Sequence, residues 1–130
     1  MSMKKIRNPL AAIGLVLMAL AAHALDVVDE RGVSVSLPQP PQRIVTLLPS
    51  LTESVCALGA CNRLVGVDRY SNSPEQVKAL PQLGGGIDPN VEAIVALKPD
   101  AVLLAKSSRV TQRLEALGMK VLVLEPKSHA

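Results

Sequence analysis

The 130-residue chain contains one tyrosine and neither phenylalanine nor tryptophan. Its core must therefore be built from leucine, valine, isoleucine and alanine. The series of rings on which single-stranded bases stack is missing, which excludes nucleic-acid recognition of that kind. Histidine is almost as scarce, with only His23 and His129. A Ser-His-acid set would have to use His129, in a stretch with no sign of order. Two cysteines without C-x-x-C spacing or a nearby histidine do not complete a tetrahedral zinc site. The triplet Gly84-Gly85-Gly86 follows no strand and lacks both the G-x-G-x-x-G order and a phosphate-loop lysine, so it gives no support to nucleotide binding. No catalytic residue, metal site or resident cofactor is expected, and the chain does not read as an enzyme.

The excess of positive charge is local. The formal net charge is +3, yet residues 1–24 hold Lys4, Lys5 and Arg7 and no acid. Removing those three from the fourteen basic residues leaves eleven, balanced by eleven acids. No basic footprint for nucleic acid remains. Lys4 to Arg7, the apolar stretch from Pro9 to Ala22 and the small-x-small pattern Ala22-His23-Ala24 read as a secretory signal peptide over residues 1–24, cut after Ala24. The apolar stretch is shorter than the roughly 20 residues that span a bilayer, so no stable membrane insertion is expected after cleavage. No cysteine stands at the cleavage point to carry a lipid. In an oxidising compartment Cys56 and Cys61 become candidates for a local disulfide, with two free thiols as the alternative.

Residues 25–37 read as a β-hairpin, alternating apolar and polar after the turn residues Asp29–Gly32, and Pro38, Pro40 and Pro41 end it. From Arg43 onward strands alternate with helices. Ile44–Leu48, Leu64–Val67, Ala101–Ala105 and Val121–Leu124 are short apolar runs suited to strands buried on both faces. Ser50 and Glu53 form a capping-box pattern for a helix that places Leu51, Val55 and Leu58 on one stripe and stops at Gly59. Ser73-Pro74-Glu75-Gln76 repeats a start signal, with Pro74 at the first helical position. The glycine triplet is expected to be a flexible turn before a helix from about Asn90 to Leu97, with Val91, Ile94 and Val95 inward. Ser107 or Ser108 is expected to cap a fourth helix carrying Val110, Leu114 and Leu117. The fold class is α/β: a single Rossmann-like lobe, with a parallel sheet of about four strands flanked by helices and preceded by the hairpin.

Ligands of such sheets bind beyond the carboxyl ends of the strands. That rule selects Leu48-Pro49-Ser50, Asp68–Ser71, Lys106–Ser108 and Glu125-Pro126-Lys127, and so places the only aromatic residue in a binding loop. The candidate ligand contacts are Pro49, Ser50, Tyr70, Lys106 and Ser107. A lone tyrosine in such a loop is by itself more often a packing residue.

The run from Pro41 to Glu53 closely resembles the first strand and helix of periplasmic binding proteins of the cobalamin and iron-siderophore class, the solute receptors of ATP-driven importers. Leu64–Val67 followed by Tyr70-Ser71, and the block Asn90–Asp100, belong to the same pattern, and the resemblance covers residues 26–127. It implies capture of cobalamin or a related metal chelate in the periplasm and delivery to a permease dimer with its ATPase. Within the class, Asp68–Pro74 looks most like the vitamin B12 receptors, whose matching tyrosine touches the corrin. Haem receptors tend to carry a tyrosine directly before the proline, where this chain has Ser73. The alternatives are a ferric-siderophore or haem receptor of the same fold, or a small exported α/β enzyme or interaction module working alone. The resemblance further implies that residues 25–130 are an N-terminal lobe ending before the interlobe helix, and that Glu92 pairs with permease arginines. Without the resemblance, Glu92 is a first-turn acid that favours the helix dipole.

Overall fold

A computed structural model describes residues 24–125. The stretch read as a secretory leader, up to residue 23, and Pro126, Lys127 and His129 lie outside the described residues.

Strands β1 (Leu25–Val28) and β2 (Ser34–Leu37) pair antiparallel with Leu25 opposite Leu37. The hairpin buries one face, Val35 and Leu37, against Leu122. Strands β3 (Ile44–Thr46), β4 (Leu64–Val67), β5 (Ala101–Leu104) and β6 (Val121–Val123) form one parallel sheet in the order β4-β3-β5-β6. Each is an apolar run because both faces are covered. Helices α2 (Val91–Ala96) and α3 (Thr111–Ala116) cover one face. There Ile94 and Leu114 meet Val45, Leu47, Val102, Leu104, Val121 and Val123. Helix α1 (Pro49–Ala57) and a 3₁₀ turn (Glu75–Ala79) cover the other, where Val55 and Val77 meet Ile44, Leu64 and Val67. The expected α/β lobe with its leading hairpin is the fold observed.

Sequence order and spatial order diverge at one place. The chain leaves β3 for β4 on one side, then crosses back to place β5 on the other side of β3. The loops after β3 and β5 therefore part from each other, and parting loops open a crevice at the carboxyl edge of the sheet.

Several local expectations are corrected. The capping box at Ser50 and Glu53 does not form: Pro49 already occupies the first turn, Leu48 is the N-cap, and no side chain caps the helix. Proline takes that place without loss because it has no amide to satisfy. Helix α1 ends at Ala57, so Leu58 swings out and is 85% exposed. Gly59 follows at φ +83°, a left-handed turn that a residue with a β-carbon resists. Pro74 sits before its short 3₁₀ turn, in extended conformation, rather than inside a helix. Neither Ser107 nor Ser108 caps α3, which starts after Val110, and Leu117 lies beyond its end, exposed. Asn90, expected to open the helix, is instead the N-cap of α2, its side-chain oxygen accepting the Ala93 amide at 3.0 Å. Val91 and Ile94 are buried as expected, and Val95 only half-buried.

The glycine turn is not slack. The Gly84 carbonyl accepts the Arg69 amide at 2.9 Å, Leu83 accepts from Asn90 at 2.8 Å, and Ile87 accepts from Arg109 at 2.8 Å. The bonds from Arg69 and Arg109 tie the 84–89 segment to the loops after β4 and β5, and the bond from Asn90 to Leu83 closes the segment on itself.

Candidate functional site

The crevice at the strand switch holds a pocket of about 270 Å³. Leu47, Leu48 and Pro49 enter it from the end of β3, and Ala105 and Ser107 from the end of β5. Asp68 and Tyr70 come from the loop after β4, and Gly86 and Ile87 complete the wall. The lining is chiefly aliphatic, with a carboxylate, one hydroxyl of serine and one phenol as its polar side chains. Small residues at Gly86, Ala105 and Ser107 leave the space that larger side chains would fill.

Main-chain bonds carry the sheet ladder into these loops. Leu47 donates to the Leu103 carbonyl at 3.0 Å and Asp68 to the Thr46 carbonyl at 3.1 Å. The walls are thus extensions of the sheet rather than free loops. At Gly86 the backbone comes so close to the Leu47 carbonyl oxygen that an added β-carbon would collide with it. Glycine is required there for close approach of two backbone segments.

Tyr70 is 63% exposed at the rim of the pocket. The guanidinium of Arg69 lies over its ring, 5.3 Å from the centroid, within cation–π range. The Tyr70 amide donates to one oxygen of the buried Asp68 carboxylate at 3.1 Å, which fixes the main chain beneath the ring. An exposed ring above an anchored backbone offers a flat apolar face to a ligand.

The candidate residues separate into two groups. Pro49, Tyr70 and Ser107 line the pocket, whereas Ser50 lies inside α1 and does not. Lys106 points to a neighbouring cleft of about 250 Å³, shared with Arg31, Ser108 and Arg109. Lys106 and Ser107 are the central residues of a turn closed by the Ser108 amide on the Ala105 carbonyl at 3.0 Å, and the turn directs them to different clefts. Sequence reasoning missed Gly86 and Ile87, because the glycine triplet read as a spacer. Its length and its position before α2 were the only signs that it returns to the site.

Glu92 is exposed in the first turn of α2 and makes no ion pair with any described residue. Helix α2 runs back toward the start of β5, so its first turn stands at the carboxyl edge of the sheet. Cys56 and Cys61 are joined, with their Cα atoms 4.0 Å apart, linking the end of α1 to the turn before β4. Among the described residues there is no cluster of three metal-ligating side chains, and no helix long and apolar enough to cross a membrane.

A model of a family described as periplasmic binding protein matches residues 44–130. The chain belongs to that family. That family is one of periplasmic solute-binding proteins. The vitamin B12-binding protein of Yersinia pestis is 38% identical over 91 residues, which are 68% of this chain and 32% of that protein. The crystal structure of a periplasmic haem-binding protein from Pseudomonas aeruginosa is 38% identical, with a TM-score of 0.63 over 65% of this chain and 32% of that one. The periplasmic vitamin B12-binding protein of Vibrio cholerae is 32% identical, with a TM-score of 0.63 over 68% of this chain and 36% of that one. The chain spans about a third of the length of the curated relatives it matches.

Proposed function

We propose that this periplasmic binding protein chain forms the N-terminal lobe of a receptor for cobalamin or a related metal chelate. The observation that carries this reading is the aliphatic pocket at the β3–β5 switch with the Tyr70 ring on its rim. A corrin or similar chelate presents a broad flat face, and an exposed ring stacks on such a face with roughly 0.5–1.5 kcal/mol beyond area burial. The chain acts by capture and carries no cofactor of its own. Residues 1–24 direct it to the periplasm and are removed after Ala24.

Its partners are the permease dimer of an ABC importer and the ATPase that drives it. Glu92 is the docking residue. Its carboxylate is exposed and uncommitted, which suits charge-assisted pairing with an arginine of the permease.

The Pseudomonas aeruginosa relative supports haem as a second reading, since it shares the same identity with this chain as the vitamin B12-binding protein of Yersinia pestis. Calorimetric titration with cyanocobalamin, haemin and a ferric hydroxamate, each alone, ranks the ligands. Cyanocobalamin binding most tightly supports the first reading, and haemin binding most tightly supports the second. Binding of the hydroxamate alone makes the chain a siderophore receptor, and binding of none removes the chelate assignment.

A further inference from the structure

Behind the pocket, three hydroxyls and a carboxylate form a continuous buried line through otherwise apolar surroundings. Thr46 on β3 lies 2.7 Å from Thr52 on α1, oxygen to oxygen, and Thr52 lies 2.7 Å from Ser71. Ser71 donates to one oxygen of Asp68 at 2.6 Å. Each of the four residues is at most 2% exposed. The direction of the line follows by elimination. Ser71 uses its single proton on Asp68, so Thr52 donates to Ser71, and Thr46 in turn donates to Thr52. The contact from Thr52 to the Leu48 carbonyl, at 3.3 Å, is the longer option for the same proton.

We propose that Thr46, Thr52 and Ser71 are positioning residues that hold Asp68, and through it Tyr70, in the orientation that meets ligand. Bulk stability gives no reason to keep the set, because apolar residues of matching shape throughout would be nearly neutral. The hydroxyls give direction instead. With Ser71 occupying one oxygen, the other oxygen of Asp68 is left for the Tyr70 amide. The ring itself is 63% exposed and has only the Arg69 guanidinium over it, so the anchored backbone sets where it stands. A ring fixed beforehand loses less freedom on binding than a loose one. The line also joins three elements of the site: β3, α1 and the loop after β4.

The inference rests on the reading of the pocket as a chelate site, and the test separates the two. Tyr70 is the only tyrosine, and there is no tryptophan or phenylalanine, so steady-state tyrosine fluorescence anisotropy reports on this ring alone. Ser71→Ala and Thr52→Val are compared with the unaltered chain, with Thr52→Ser, which keeps the hydroxyl, and with Val121→Ala, a core truncation beneath the opposite face. Anisotropy is expected to fall toward that of an unstructured tyrosine peptide in the first two and to hold in Thr52→Ser and Val121→Ala. Cyanocobalamin affinity, read by calorimetry, is expected to weaken roughly tenfold in Ser71→Ala, the scale of one buried hydrogen bond. Unchanged anisotropy in folded Ser71→Ala overturns the positioning role, whatever the ligand result, and decides the matter if Thr52→Val does not fold. A fall in Val121→Ala equal to that in Ser71→Ala overturns it as well, because general loosening would then suffice. If the unaltered chain binds neither cyanocobalamin nor haemin, the chelate reading fails while the anisotropy still decides the positioning.

Discussion

The Asp29 carboxylate accepts the main-chain amide of Val123 at 3.1 Å, across 94 residues of sequence. The adjacent Glu30 amide donates to the Val123 carbonyl at 2.9 Å, so the hairpin turn closes the outer edge of β6. An unpaired edge strand is a template for unwanted pairing, and here both polar groups of its last residue are occupied. Arg31 extends the link with a bond to Asp29 at 2.8 Å and a forked pair to Glu115 at 3.1 and 3.2 Å. Hairpin, β6 and α3 are thereby one unit.

That geometry gives the fold an acid-sensitive joint. Burial raises the Asp29 pKa, but the bonds from the Arg31 side chain and from the amides of Val123, Arg31 and Val33 outweigh it and hold it at about 2, down from 3.8. A carboxyl depressed in the folded state stabilises above its unfolded pKa, and that contribution is lost as pH falls from about 4 toward 2. Allowing for screening on the Arg31 side, the loss is about 1–2 kcal/mol. Urea unfolding across that window is expected to show it, and Asp29→Asn is expected to be less stable at neutral pH with a flatter acid limb. An acid limb unchanged by Asp29→Asn would contradict the assignment.

The four sheet strands were legible because a strand buried on both faces is an uninterrupted apolar run. Tyr70 was legible because topology alone puts the loop after β4 at the binding edge. Asp29 was not, since its acceptor role depends on an amide 94 residues away. The hydroxyls of Thr46, Thr52 and Ser71 also went unread: Thr46 in an apolar run signals β-propensity, and its partners stand on a helix and a loop that only the fold brings to it. Lys106 and Ser107 were read as one binding loop, yet the tight turn they form after β5 sends them to different clefts.

The close approach at Gly86 makes a sharp comparison with its neighbour. Gly86→Ala drives a methyl into the Leu47 carbonyl, a rigid backbone atom, and is expected to destabilise by roughly 1–3 kcal/mol and to distort the pocket wall. Gly85→Ala meets only the Arg69 guanidinium, at 3.3 Å, which swings aside. Thermal or urea unfolding of the two variants checks the order, and equal loss in both would contradict it.

The bridge between Cys56 and Cys61 closes a short loop, with a sequence separation of five. Its entropic contribution belongs near about 2 kcal/mol, the low end of the usual range. Unfolding with and without reductant is expected to differ by that amount, and thiol titration of unfolded, unreduced protein is expected to find no free sulfhydryl. Two reactive thiols per chain would contradict the bridge.

The proposed function gives ligand and permease different residues of the lobe. Glu92→Ala is expected to leave cyanocobalamin binding unchanged, because Glu92 does not line the pocket. It is expected to reduce affinity for the permease complex in a pull-down with reconstituted importer. Loss of ligand binding in Glu92→Ala would show that it belongs to the ligand surface.

The most direct test of chelate capture in the β3–β5 pocket follows the ring signals of Tyr70 by NMR during a cyanocobalamin titration. Cyanocobalamin is diamagnetic, and no other tyrosine, phenylalanine or tryptophan ring is present to overlap. One lobe offers contacts to one side of a ligand, so weak binding in fast exchange is expected. The Tyr70 ring signals are expected to shift progressively and saturate, together with amides of Leu48, Gly86 and Ser107. Saturable binding that moves other residues while Tyr70 stays still would contradict it.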